Sequence, residues 1–163
     1  GITLSYEHIK IIGINSLAGV AMSALAEAKK RNIKYIISSI DSKREDLFLQ
    51  LFKINDFNDN SLPLLAVNII KPVRLENIQN YILSNQLCIE DVLFIGFMSK
   101  SLKNVIRNLK ISEQISQNPD SVWTGKLGSY IIRNNINYKK STIAHDILKP
   151  IYVRHAEINQ LIK

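Results

Sequence analysis

The stretch IKIIGIN-SLAGVAMSALAEAKKR-NIKYIISSIDSKREDLFLQLF, residues 9–52, decides the fold. Its apolar runs Ile11–Ile14 and Ile33–Ile40 are rich in β-branched residues and short, the pattern of buried strands. Between them, Ser16–Arg31 reads as a helix. Ser16 is placed to cap it, its hydroxyl accepting from an unpaired first-turn N–H. Lys29, Lys30 and Arg31 load the last turn with positive charge, which suits the negative end of the helix dipole. A helix between two strands implies a βαβ crossover in an α/β sheet, and a loop and a further strand complete the stretch to Phe52.

The helix carries little bulk: Ala18, Gly19, Ala21, Ala24, Ala26 and Ala28 leave its surface open to close approach. Two uses fit that surface. The helix packs tightly on its own sheet, or it meets a helix of another subunit through Leu17, Ala18, Ala21, Met22, Ala24 and Leu25.

Working outward, 163 residues fit one α/β domain, residues 1–163, with chain enough for a substantial core. A hydrophobic share of 46% with 21% charged residues is that of a globular protein. No apolar run approaches the roughly 20 residues that span a bilayer, so no membrane partner is expected. The single cysteine, Cys88, rules out an internal disulfide framework and fits a reducing, cytoplasmic setting. The chain opens at Gly1 on GITLSYEHI, which reads as the last turns of a helix running into a strand, so an upstream portion is expected.

Further along, Asn55–Ser61 is polar and turn-forming, and Leu64–Ile70 reads as a strand closed by Lys71-Pro72. Arg74–Leu83 has helical spacing, with Leu75, Ile78 and Ile82 on one face. Asp91 precedes the buried strand VLFIGFM, which ends near Gly96, and a basic helix is expected from Ser99 to Asn108. Asp120 caps a helix over Ser121–Arg133 whose apolar side is Trp123, Leu127, Tyr130 and Ile131. Asn134–Tyr138 is loop, and Lys149–Arg154 is extended.

The net charge of +7 and pI near 9.5 permit an acidic partner such as nucleic acid. The basic residues are dispersed along the chain, and only Lys103, Arg107 and Lys110 are spaced to form a helical stripe. The sequence contains no phosphate-binding glycine loop, no HExxH and no GxSxG. His8, His145 and His155 lack metal-ligand spacing. Asp41 ends a buried strand, where acids in open sheets orient ligands. It is placed still better to cap the turn SIDSKRED, accepting backbone N–H bonds or pairing with Lys43 or Arg44.

Four segments carry a family resemblance. IIGINSLAGVA (11–21), IISSIDSKREDLFLQLF (36–52), LFIGFMSKSL (93–102) and KPIYVRHAEI (149–158) resemble, in order and spacing, segments of the TsaB (YeaZ) family. Asp41, Asp46, Tyr152 and Arg154 fall on the family's motif positions. Ser42 and Lys43 depart from the usual Ala-Arg, and Phe97 follows Gly96 where small residues are common. The family's amino-terminal portion has no counterpart here, and residues 1–9 match the end of a helix that it begins.

The resemblance implies an actin-like ATPase or RNase H-like fold, here mostly its carboxy-terminal portion. It implies a non-catalytic subunit that supports a TsaD-like protein in threonylcarbamoylation of tRNA adenosine beside the anticodon. A TsaE-like ATPase joins them, ATP and metal belong to the TsaD-like partner, tRNA is met only through the complex, and this chain itself holds no cofactor. The helix at Ser16–Arg31 would contact TsaD or a second copy, as a homodimer. Two other functions differ in class: a basic RNA-binding module built on the Lys103–Arg107–Lys110 stripe, and a peptidase, after the label some family members carry.

Overall fold

The structure, a computed structural model, describes residues 11–55, 61–97, 99–102, 106–113, 119–138 and 143–145. In chain order it contains β1 (Gly13–Ile14), α1 (Ser16–Ser23), α2 (Leu25–Lys30), β2 (Tyr35–Asp41), β3 (Asp46–Ile54), β4 (Leu64–Ala66), β5 (Lys71–Arg74), α3 (Ile78–Ser84), β6 (Val92–Gly96), α4 (Ser99–Leu102), β7 (Lys110–Ile111), α5 (Ser121–Arg133) and β8 (Ala144–His145).

The main sheet has the order β4-β3-β2-β6-β7, with β5 also paired to β3. β2 pairs antiparallel with β3 and parallel with β6, and β7 is parallel to β6. The architecture is a mixed α/β sheet with helices on both faces. Alternate residues of β2 enter two cores: Ile36 joins Leu17, Ala21, Leu127 and Ile131 on one face, and Ile37 joins Ile78, Ile82, Phe94 and Leu102 on the other. Burial on both faces is why its apolar residues do not alternate with exposed ones, the buried Ser38 and Ser39 standing among them.

Five expectations are corrected. β1 pairs with β8 in a separate two-stranded sheet, so β1–α1–β2 is not a crossover; the parallel connections run from β2 to β6 and from β6 to β7. Asn15, not Ser16, is the cap of α1: its Oδ1 accepts from Leu17 N at 2.9 Å, and Ser16 is the first helical residue. The expected single helix breaks at Ala24, where Ser23 Oγ donates back to Val20 O at 2.7 Å, a contact that bends helices.

The strand expected over Leu64–Ile70 stops at Ala66, and Asn68 follows it. Its side chain replaces strand backbone beside β3, accepting from Leu51 N at 3.2 Å, and Lys71-Pro72 then opens β5 instead of ending a strand. Pro72 is tolerated because β5 lies at an edge. The helix expected from Arg74 starts as a 3₁₀ turn and becomes α-helical only at Ile78.

The Asn68 insertion belongs to a polar chain through the interior. Asn15 Nδ2 donates to Gln50 Oε1 at 2.6 Å, and Gln50 Nε2 donates to Asn68 O at 3.0 Å. Asn68 Nδ2 reaches the Tyr81 hydroxyl at 2.9 Å. The cap of α1 is thus tied through the sheet to α3. Burial of Gln50 is compatible with folding because its amide is hydrogen-bonded.

Candidate functional site

In an open sheet, ligands meet the carboxyl ends of parallel strands, which here means the ends of β2 and β6. β2 ends on Asp41 and turns through Ser42–Glu45 into β3. Lys43 takes a left-handed φ of 62°, which brings its backbone N–H to Asp41 Oδ1 at 2.8 Å while its Nζ meets Oδ2 at 2.8 Å. The hydrogen bond from the Lys43 side chain, then that from its backbone, holds the Asp41 carboxyl below its ordinary value. Ser42 Oγ donates to Asp46 Oδ1 at 2.5 Å and accepts from Arg44 N at 3.2 Å. Asp41 is therefore the turn-capping, ion-paired carboxylate that its neighbours allow. Asp46 opens β3 in the same turn.

Next to it, the end of β6 is closed by backbone. Gly96 has φ of +112°, and Phe97 N donates to Ser39 O at 3.2 Å. Ser39 Oγ donates to Phe97 O at 2.8 Å and lies 3.2 Å from Ile95 O. These bonds hold β2 and β6 together where a crevice would have to open. Asp41 and Asp46 thus share one turn, and Gly96 stands on the neighbouring strand opposite Ser39. Tyr152 and Arg154 lie outside the described residues.

The small-residue helix is used inside the chain. Leu17, Ala18, Ala21 and Ala24 are fully buried, Leu25 is nearly so, and Met22 is half-buried against the same core. The close approach expected of this helix is made with α5: a Cβ on Gly19 would lie 2.7 Å from Thr124 Oγ1. What this layer turns outward is different. On α5, Val122, Gly125, Ser129 and Ile132 share the solvent face, with Val122 and Ile132 54% and 42% exposed. Sequence spacing marked the helix as a close-packing surface but could not say which neighbour it packs on.

The helical stripe of basic residues is not formed. Arg107 sits in a turn completed by Asn108 at φ 67°, and Lys110 lies on β7, because Leu109 and Ile111 turn into the core. Lys103 lies outside the described residues, as do His8 and His155. Among the described residues no group of three or more His, Cys, Asp or Glu could hold a metal ion, and no helix is long and apolar enough to cross a membrane. Cys88 is exposed.

No family model matches the chain, and no curated protein matches it. Among solved structures, an uncharacterized protein with similarity to peptidase YEAZ from Pseudomonas aeruginosa aligns at 12% identity and a TM-score of 0.50, over 85% of this chain and 56% of its own. YeaZ from Pseudomonas aeruginosa aligns at 11% identity and a TM-score of 0.47, over 73% of this chain and 49% of its own. The chain spans about half the length of these structures, and it shares the fold of the YeaZ-like protein.

Proposed function

We propose that the chain is a non-catalytic subunit of the TsaB (YeaZ) kind. It serves as a scaffold for a TsaD-like protein in threonylcarbamoylation of tRNA adenosine next to the anticodon. One observation carries the reading: the chain that presents the four family-like segments in order also shares a fold with a YeaZ-like structure over 85% of its length. On this reading the sheet is the carboxy-terminal lobe of an actin-like, RNase H-like fold. ATP and metal reside on the TsaD-like partner, a TsaE-like ATPase joins the assembly, and the setting is the cytoplasm.

The engagement of Asp41 with Lys43 supports a scaffold, since a carboxylate held in an ion pair within its own turn is not poised as a base. The partner contact falls on the α1–α5 layer. Its outward apolar side chains, Val122 and Ile132, offer burial that the chain itself leaves unused.

Light scattering on a sizing column, with this chain alone and mixed with the TsaD-like protein of the same organism, tests the reading. A peak with the summed mass is expected. Separate elution, repeated when the family's amino-terminal portion is joined ahead of Gly1, overturns it.

A further inference from the structure

Basic residues far apart in sequence meet at the amino-terminal end of the parallel strands. β2, β6 and β7 start together, as the register Tyr35↔Val92 and Leu93↔Lys110 shows, and β3 runs back to finish there with Lys53 opposite Tyr35. The carboxyl end of α2 joins them, because Arg31 Nη1 donates to Ile111 O at 3.1 Å. Lys34 Nζ is 3.0 Å from Asp91 Oδ2, and Lys110 Nζ donates to Glu90 O at 2.6 Å. This end therefore gathers Lys29, Lys30, Arg31, Lys34, Lys53, Arg107 and Lys110 around Glu27, Glu90, Asp91 and Glu113, seven basic groups against four acidic.

Two of the acids are committed to ion pairs, Glu27 with Arg31 and Asp91 with Lys34. The bond from Lys110 ends on a carbonyl, which leaves its charge uncancelled. The turn at the opposite end is balanced, with Lys43, Arg44 and Arg74 against Asp41, Glu45 and Asp46.

We propose that this basic end binds the phosphate backbone of a nucleic acid strand, in direct contact with this chain. A protein partner or a membrane surface needs an apolar centre or wedge within the contact. Among the described residues, the exposed large apolar side chains near this end are Leu65, in register with Lys53, and Leu83, in the last turn of α3 ahead of β6, and they stand on separate elements; Ile11, Val67, Ile69, Val122 and Ile132 lie on other elements or farther along the edge. Cations that outnumber the apolar side chains suit a chain of phosphates, which Lys and Arg neutralise while releasing counterions. The proposal does not depend on a TsaD-like partner.

Its test uses this chain alone with a fluorescently labelled single-stranded RNA oligonucleotide, read by anisotropy across a salt series. The affinity is expected to fall steeply with salt. The double variant Lys30→Gln/Arg107→Gln is expected to lose about ten-fold or more at low salt and to flatten the log–log salt slope by about 1.4, at roughly 0.7 per strand phosphate contact. Arg44→Gln/Arg74→Gln removes the same charge from the opposite end and is expected to change affinity less than about two-fold, the circular dichroism of both variants staying that of the parent. Equal losses from the two variants mean that net charge alone attracts RNA, and overturn the site. Absence of RNA binding, with or without binding to phosphatidylserine vesicles or an acidic peptide, also overturns it.

Discussion

Gly96 ends β6 with φ of +112°, and a Cβ built there would lie 2.1 Å from the Ser39 carbonyl oxygen. That oxygen is the acceptor for Phe97 N, so it cannot retreat without breaking the bond that closes the end of the sheet. Strain and displacement act together, and Gly96→Ala is expected to cost about 3 kcal/mol of unfolding free energy, measured by urea denaturation. The sequence placed Gly96 near the end of a buried strand; its reason for being glycine is a neighbouring strand 57 positions upstream. Ser39 and Asn68 share this property. Their roles depend on which strand arrives beside them, whereas Asp41's role as a turn cap depends on the next two residues, and the sequence offered it beside ligand orientation.

At the level of elements, what the sequence disclosed follows the same division. β2, β3 and β6 were evident from β-branched and aromatic runs, and α5 from Asp120 and its apolar spacing, because propensity and capping are local. The break at Ala24 and the separate pairing of β1 arise from Ser23 bonding back to Val20 O and from strand β8 about 130 residues away. The buried face of α1 predicts that Ala21→Leu overpacks the contact with the sheet and α5, lowering stability by about 1–3 kcal/mol. Ala26→Leu, on the exposed side, is expected to shift it by less than about 0.5 kcal/mol, and thermal melts of the pair check the assignment.

A second element-level tie is electrostatic. Glu27 of α2 accepts from Ser112 Oγ at 2.6 Å, Arg31 Nη1 at 2.7 Å and Glu113 N at 3.1 Å, holding the end of β7. Burial pushes its carboxyl up, but the hydrogen bonds from Ser112, Arg31 and Glu113 outweigh it and leave the pKa below the ordinary 4.5. A carboxylate depressed on folding stabilises above its unfolded pKa, and that contribution is lost as pH falls through the folded one. Melting temperature is therefore expected to drop from about pH 5 downward, and Glu27→Gln to flatten that part of the curve. A variant with the same acid slope as the parent removes Glu27 as its source.

For the whole molecule, the chain separates two kinds of surface. The amino-terminal end of the sheet is cationic, and the outer face of α5 presents Val122 and Ile132. The cationic end was invisible in sequence because its members span positions 29 to 110 and converge only through the parallel register of β2, β6 and β7. If α5 carries the partner contact, a charge at its exposed apolar position must be desolvated on association, whereas in the free chain it stays in water. Ile132→Asp is therefore expected to weaken association with a TsaD-like protein at least ten-fold while leaving circular dichroism and RNA affinity within about two-fold of the parent. Lys30→Gln/Arg107→Gln is expected to do the reverse, sparing the partner and losing the RNA. The two readouts, sizing with light scattering and anisotropy, cross only if the faces are independent. A loss of both activities in either variant would place partner and nucleic acid on one shared surface and reject the division.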